Sequence, residues 1–530
     1  MKNFIKIVSA CAVIAITAGS CSKDLNLTPT NDITADIAYK DFAGYKSSLA
    51  KVYGSYATTG SSGAGSTDLK GSEANVGAAD FLRQFWNAQE ITTDEAVCAW
   101  LGDPAIGDLD QMTWTSGNVY LQFLYTRSLY QITLVNEFIR ESTDAKLNSR
   151  GITGNDAAEV KHFVAEGRFL RAFQYWVLMD LYGNPPFITE NDQIGKVAPK
   201  QIKRADLFAY IESELKAIEG DLKAPRQNEY GRADQAAAWA LLARMYLNAE
   251  TYLGAGNKRY QDARIYAKKV IDAGYSLKSN YSQLFLADND KNNNEVILSI
   301  NYDGLKTQGN GGTTFLVNAA IDKDMGPASF GIPNGGWGGN RSRKNLPLIF
   351  GDYSGNTDKR ALFQAGGKLE IEDISVFKQG LAITKFRNVT STGTTPPSTN
   401  GEFCSIDFPL FRLAEMYLIY AEAEIRDGGL TSAGIEYFNK LRERAYGNTS
   451  RNVSSISLND ILDERARELY WEGFRRTDLI RFGKYTDASY LWPFKGGVPN
   501  GRAVESYRTL FPIPSSDVIA NPNLTQNQGY

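Results

Sequence analysis

Three groups of residues in this sequence have types and spacings that chemistry could use. The first is the run 463–478, where Glu464, Glu468 and Glu472 alternate with Arg465, Arg467, Arg475 and Arg476. Paired carboxylates suit a glycoside hydrolase, with Glu464 and Glu472 as its acid and base. On a helix, however, each of these acids has a helical or neighbouring cation. Ion pairing lowers a carboxyl pKa, the wrong direction for a general acid, so the run reads as structural ion pairing. The second group is aromatic. Trp86, Trp100 and Trp114 fall in one loop-rich stretch, and Trp337 stands alone in Pro333-Asn334-Gly335-Gly336-Trp337-Gly338-Gly339. A tryptophan between glycine pairs has little local core to pack against. Its indole can stack on the flat C–H face of a sugar, whose hydroxyls need polar neighbours such as Arg83, Asp103 and Asn340. Trp100 and Trp337 read as ligand-facing, Trp86 and Trp114 as plugs beneath their own loops.

The third group is Asp288-Asn289-Asp290-Lys291-Asn292-Asn293-Asn294. Oxygen side chains alternate as in a calcium loop, but Asn293 stands where the turn needs glycine and Ser299 where the closing glutamate belongs. That leaves an ion shared by Asp290 and a distant carboxylate, or an Asn-rich turn.

Composition removes other classes. His162 is the single histidine, which excludes histidine-based zinc sites and Ser-His-Asp triads. A formal net charge of −3 without long runs of one sign lacks the basic footprint of nucleic-acid binding. The glycine loops do not end in Gly-Lys-Ser/Thr, so no phosphate cradle is present.

The start of the chain is an address. Lys2 and Lys6 precede an apolar run over residues 7–18, then Ala18-Gly19-Ser20 lead into Cys21. The order is that of a secretory signal, too short to span a bilayer that needs about 20 residues. A cysteine directly after the small residues fits lipoprotein processing: residues 1–20 are removed and Cys21 is acylated. Residues 21–32 form a polar tether and 33–530 the folded domain. Cys11 leaves with the signal, so Cys98 and Cys404 remain, either as one disulfide or as two buried thiols.

The elements that must hold these residues are mainly helices. Apolar residues recur at helical spacing over 33–56, 119–141, 157–182, 204–222, 233–249, 260–273, 410–426, 431–445 and 458–482. Gly183 with Pro185-Pro186 stops the third of these, and His162 inside it reads as structural. Alanines at 233, 236, 237, 240 and 243, then 263, 267 and 273, suggest closely packed helix pairs similar to tetratricopeptide units, without a strict repeat. Two loop-rich regions, about 54–118 and 289–407, hang off this frame, with short β-type runs at 295–301 and 382–386. Functional residues gather on such loops.

Several long segments resemble the SusD/RagB family. Glu166-Gly167-Arg168-Phe169-Leu170-Arg171-Ala172 through Tyr182-Gly183-Asn184 is similar to its N-terminal signature. Glu464-Arg465 through Glu472-Gly473, Arg475-Arg476 and Asp478 resembles its C-terminal one. Pro512-Ile513-Pro514 and the stretch 521–530 match its ending, and Cys21-Ser22-Lys23-Asp24-Leu25 its lipidated start. The resemblance implies a mainly α fold in which tetratricopeptide-like helix pairs support a loop-built ligand face. It implies a non-enzymatic surface lipoprotein of the outer membrane that binds glycan and caps a SusC-type TonB-dependent transporter.

Phe81-Leu82-Arg83-Gln84-Phe85-Trp86-Asn87 and Ala99-Trp100 resemble the family's starch-binding type, where an arc of aromatics, an Arg and an Asn cradle an α-glucan. By that resemblance the ligand residues are Arg83, Trp100 and Trp337. Asp103 stands where an Asn is expected and Asn310 where the arc has a tyrosine, with Phe315 nearby as a replacement ring. The resemblance further implies a structural calcium ion at Asp290 and Asp407, with no other cofactor required. An α-glucan is the expected ligand, and a different or shorter glucan, a hydrolase using Glu464 and Glu472, and a lid that touches no sugar are the alternatives.

Overall fold

The structure, a computed structural model, describes residues 34–193, 195 and 197–530. Cys21 and the signal lie outside the described residues. The frame is built from α1 (Phe42–Gly54), α2 (Phe81–Trp86), α3 (Val119–Glu141) and α4 (Gly154–Tyr182). It continues with α5 (Arg204–Ala217), α6 (Gln235–Leu247), α7 (Tyr260–Ile271) and α8 (Gly312–Ala320). Last come α9 (Leu413–Arg426), α10 (Ser432–Tyr446), α11 (Leu458–Leu469) and α12 (Arg475–Arg481). Helices pack in a chain of neighbours, α3 on α4, α4 on α5, α6 on α7, α7 on α9 and α9 on α10. This is the mainly helical, paired scaffold expected.

Local chemistry sets the helix ends. The Asn118 side chain accepts from the Tyr120 and Leu121 amides at the start of α3, and Asp234 does the same for Ala236 and Ala237 of α6, satisfying amides that have no intrahelical partner. Gly183 ends α4 with φ +74°, a conformation that costs glycine little. Ala236, Ala237, Ala240 and Ala243 of α6 and Ala263 and Ala267 of α7 are fully buried. Small side chains let these two helices approach closely, so the alanine stripe is an interface.

Four expected elements differ. The segment 33–56 is broken after a short helix (Ala35–Ala38) by Asp41, whose carboxylate caps α1 by accepting from Gly44. The segment 410–426 begins as a strand, β4 (Phe408–Arg412), pairing antiparallel with β2 (Val296–Ile300) before α9 starts. The run 382–386 forms only a single bridge, Ile383 to Phe363.

The fourth difference has the largest consequence. Residues 458–482 are not one helix, because the chain turns between α11 and α12 with Trp471 at φ +64° and Gly473 at φ +83°. A Cβ on Gly473 would lie 2.7 Å from the Phe85 ring. Glu90 accepts from the Gly473 amide at 2.6 Å and from that of Phe474 at 3.3 Å, and Glu95 from that of Trp471 at 3.3 Å. The turn is therefore capped by carboxylates nearly four hundred residues earlier, and helical periodicity cannot register such partners.

Around this turn the charged run is interior. Arg412 pairs with Glu295 at 2.9 Å, Glu468 at 2.6 Å and Glu472 at 2.7 Å. Arg360 pairs with Asp358 and Glu464, both at 2.7 Å, and Lys385 with Glu472 at 2.7 Å. Burial alone would raise the Glu464 carboxyl, but the charges of Arg360 and Arg467 outweigh it and hold it at about 2. With Glu464 fully buried and Glu472 only 3% exposed, the two residues of the hydrolase alternative serve as internal counter-ions.

Two tests follow from this network. Arg412→Met leaves buried carboxylates without their cation and should cost about 3–5 kcal/mol, read as a lower urea midpoint; a loss under about 1 kcal/mol would refute the interior pairing. Because the folded Glu464 pKa lies below its unfolded value of 4.5, its stabilisation is complete above that value. It should be lost as pH falls from about 4.5 towards about 2, and a melting temperature that stays flat across that window would contradict it.

Candidate functional site

A short two-stranded ribbon carries the site. β1 (Ala96–Cys98) pairs antiparallel with β3 (Asn340–Ser342), in register Ala96 to Ser342 and Cys98 to Asn340. This pairing brings Trp100, two residues past β1, beside Trp337, three residues before β3. The Ala99 amide donates to the Gly339 carbonyl at 2.8 Å, and Trp100 Nε1 to the Trp337 carbonyl at 3.4 Å. The two half-buried indoles lie 6.4 Å apart, inclined at 45°.

The glycines on either side of Trp337 are needed for close approach. A Cβ on Gly339 would sit 2.5 Å from the Trp100 ring, and one on Gly335 only 1.8 Å from Asn318 Oδ1. The Trp337, Gly338 and Gly339 amides donate to the carbonyls of Asn318, Ile321 and Ala319. The loop is thus stitched to the end of α8. At the other end of α8, Asp80 accepts from Gly312 at 2.8 Å and from Arg83 of α2 at 2.7 Å, fastening two helix starts with one carboxylate.

Arg83 is only 5% exposed. Its guanidinium lies 4.8 Å from the Phe315 ring centre and 5.8 Å from that of Trp100, an attractive placement over π faces. Nη1 donates to the Asn310 carbonyl at 3.3 Å, so exposed Asn310 meets Arg83 through its backbone. Asp103 is half-buried and accepts from the Tyr120 hydroxyl at 2.8 Å. Burial pushes the Tyr120 hydroxyl above its ordinary range, and hydrogen bonding to Asp103 adds to this. The sequence offered no sign of Tyr120, because it belongs to a helix that pattern assigns to the frame.

Two expectations are corrected. Phe315 is 1% exposed and stacks edge-on beneath Trp86 at 5.7 Å and Trp100 at 6.2 Å; it supports the ledge and presents no ring to a ligand. Asn340 is fully buried and cannot meet a ligand hydroxyl. The other aromatic readings agree with the structure: Trp86 and Trp114 are buried, donating to the Trp471 carbonyl and the Tyr530 hydroxyl. Cys98 and Cys404 are free buried thiols, each pushed up by burial.

In the Asp288–Asn294 segment two of the four asparagine side chains are committed to backbone. Asn289 donates to the Leu284 and Asp407 carbonyls, and Asn293 to the Asn289 carbonyl. Asp290 is exposed, and Asp407, 6% exposed, accepts from the Tyr302 amide at 2.8 Å. Burial, with added repulsion from Asp290 and Asp303, raises the Asp407 carboxyl to about 7. Among the described residues no group of three or more His, Cys, Asp or Glu side chains forms a metal cluster. A cation beside Asp290 and Asp407 would therefore take its remaining ligands from backbone carbonyls or water.

A cavity of about 330 Å³ lies elsewhere, bounded by Leu49, Tyr53, Leu170, Tyr230 and Leu298, and none of the ledge residues lines it. With two inclined indoles, a guanidinium and the carboxylate of Asp103, the ledge can stack on flat apolar faces and hydrogen-bond hydroxyls.

A paired-helix scaffold that presents an aromatic ledge on loops is a recognition architecture. The chain belongs to the SusD family: residues 260–530 match that family, and the full chain is similar to the starch-binding protein SusD of Bacteroides thetaiotaomicron. The two are 37% identical, the match covering 100% of this chain and 99% of that one. A SusD-like protein of Bacteroides ovatus is 26% identical over 70% of this chain and 75% of its own. Among solved structures, a SusD homolog from Bacteroides thetaiotaomicron superposes with a TM-score of 0.73 at 18% identity, covering 94% of this chain and 99% of that one. Surface glycan-binding protein A from the same organism, in complex with laminarihexaose, superposes with a TM-score of 0.68 at 20% identity over 92% and 99%. These likenesses show the shared fold.

Gly339 needs no left-handed backbone, so Gly339→Ala tests the steric fit alone. Overpacking at 2.5 Å should cost about 1–3 kcal/mol and shift the intrinsic tryptophan emission. Unchanged emission and an unchanged denaturation midpoint would show that the indole is not held against this backbone.

Proposed function

We propose that this protein is a surface glycan-binding lipoprotein that holds an α-glucan on the Trp100–Trp337 ledge and delivers it to a SusC-like TonB-dependent transporter in the outer membrane. The observation that carries this reading is the pair of indoles 6.4 Å apart and inclined at 45°, backed by the Arg83 guanidinium. Inclined stacking faces suit successive rings of a curving oligosaccharide, whereas coplanar faces suit a straight one. The full-length relationship to a protein named for starch binding supports the α-glucan over other sugars. Asp103 and Asn310 offer acceptors and an amide for hydroxyls along the rim. Cys21, acylated, holds the domain at the membrane through its polar tether. Among the described residues no helix is long and apolar enough to cross a membrane, so attachment is assigned to the lipid.

Binding by stacking is individually modest, about 0.5–1.5 kcal/mol for an aromatic pair beyond area burial. Trp100→Ala and Trp337→Ala should each weaken maltoheptaose binding by about tenfold or more, since 1.4 kcal/mol is tenfold. Calorimetric titration across α-glucans, β-glucans, fructans and xylans checks both ligand and site. Wild-type affinity in both variants would remove the ledge from the reading, and new reducing ends from purified protein would restore the hydrolase.

We further propose that a calcium ion bridges Asp290 and Asp407. Their mutual repulsion, with Asp407 buried, is the kind of charge a hard cation relieves. Calcium should raise the melting temperature of the wild type and leave Asp407→Asn unmoved. Equal shifts in both proteins would exclude this pair as ligands.

A further inference from the structure

The ribbon that carries Trp100 and Trp337 carries a third loop, and its aromatic residue lies outside the buried core clusters. Residues 371–380 fold back onto the ribbon. Ile371 and Ile374 are buried with Val97 of β1 in a small cluster separate from the main core. The Ser342 amide of β3 donates to the Leu381 carbonyl at 2.7 Å. Gly380, at φ +93°, permits this closure, since a Cβ there would lie 2.8 Å from the Ser342 carbonyl.

Arg341 of β3 then ties both loops together. It is fully buried and donates to the Gly339 carbonyl beside Trp337, to Gln379 at 2.6 Å and to Ile374. The loop is also braced internally: Gln379 Oε1 accepts from the Glu372 and Asp373 amides, and Asp373 from the Ser375 amide and hydroxyl. Lys378 pairs with Asp324 across to the segment after α8. Such bracing leaves little freedom to lose when a ligand arrives.

What the bracing presents is Phe377. Its side chain is half-buried, yet it is part of neither buried cluster and is not among the described side chains packed against the main one. Its ring lies against Gly338, where a Cβ would be 3.6 Å from Phe377 Cγ. The neighbouring residue in that loop is Trp337. Val376, one residue before, is 39% exposed, so the tip of the loop faces solvent.

We propose that Phe377 is a third stacking ring of the ledge, lengthening it beyond Trp337 at Gly338. The inference rests on the glycan reading and sharpens it. With Phe315 buried and Asn310 without a ring, the aromatic footprint shifts along the ribbon, and the site selects chains long enough to reach from Trp100 past Trp337 to Phe377. Arg341 acts as the positioning residue that keeps the two loops in one register.

Titration with α-1,4-linked glucose oligomers of three and seven units tests this. Phe377→Ala should weaken heptamer binding by about fivefold or more, the scale of one aromatic contact, while trimer affinity stays within about twofold. Trp337→Ala should weaken both. Phe377→Leu keeps apolar volume without a π face and should resemble Phe377→Ala, with a melting temperature close to wild type. If Trp337→Ala loses the heptamer and Phe377→Ala binds it as wild type does, the third ring is refuted and the ledge stands. If neither tryptophan substitution nor Phe377→Ala changes binding of either oligomer, the ledge and the third ring fall together.

Discussion

Glu468 has no access to solvent, and the rest of the structure is arranged around the cost of that fact. A carboxylate taken out of water is tolerable only with cations and hydrogen bonds in good geometry. Arg412, Arg360 and Arg444 supply them, and they arrive from three separate stretches of chain. Arg412 ends β4, Arg360 lies in a loop and Arg444 belongs to α10. Coulombic pairing of this kind is all-or-none, because each ion also satisfies others: Arg412 reaches Glu295 and Glu472, Arg360 reaches Glu464. The helical scaffold and the loop regions are therefore locked to one another at a buried charged centre as well as by apolar packing.

The turn between α11 and α12 transmits that constraint to the aromatic ledge. Glu90 and Glu95 cap it, and Glu95 directly precedes β1. Burial raises both carboxyls, Glu95 to about 7, with each acid also bearing on the other. From there the route is short. β1 pairs with β3, Gly339 admits Trp100, and α8 holds the Trp337 loop. The indoles stand where they do because backbone hydrogen bonds from several elements leave them no alternative, which is the preorganisation an open binding surface requires.

The same geometry separates recognition from catalysis. The paired carboxylates that suggest a hydrolase occupy the interior, Glu464 held by Arg360 and Glu472 by Arg412 and Lys385. The ledge has stacking faces and the Asp103 carboxylate. A protein built this way spends its charged residues on cohesion and its surface aromatics on contact, consistent with the family to which the chain belongs.

Much of the frame was legible in one dimension. The 3.6-residue apolar period of 119–141 reproduced α3 residue for residue, and the alanine stripe announced the α6–α7 contact, because local propensity and packing agree there. Trp86 and Trp114 as plugs, and Glu464 and Glu472 as paired ions, followed from spacing and from the pKa that pairing imposes. The break at Trp471–Gly473, the strand at Phe408–Arg412 and the burial of Phe315 and Asn340 were not legible, since each depends on partners far along the chain. By itself, then, the sequence determined that helices dominate and that the acidic-basic run is structural, and it singled out the tryptophans of the loop regions. Only the tertiary structure decided which rings face outward, because a ring's exposure depends on what packs beneath it, and here that support comes from β1 and, more than two hundred residues later in the chain, from α8 and β3.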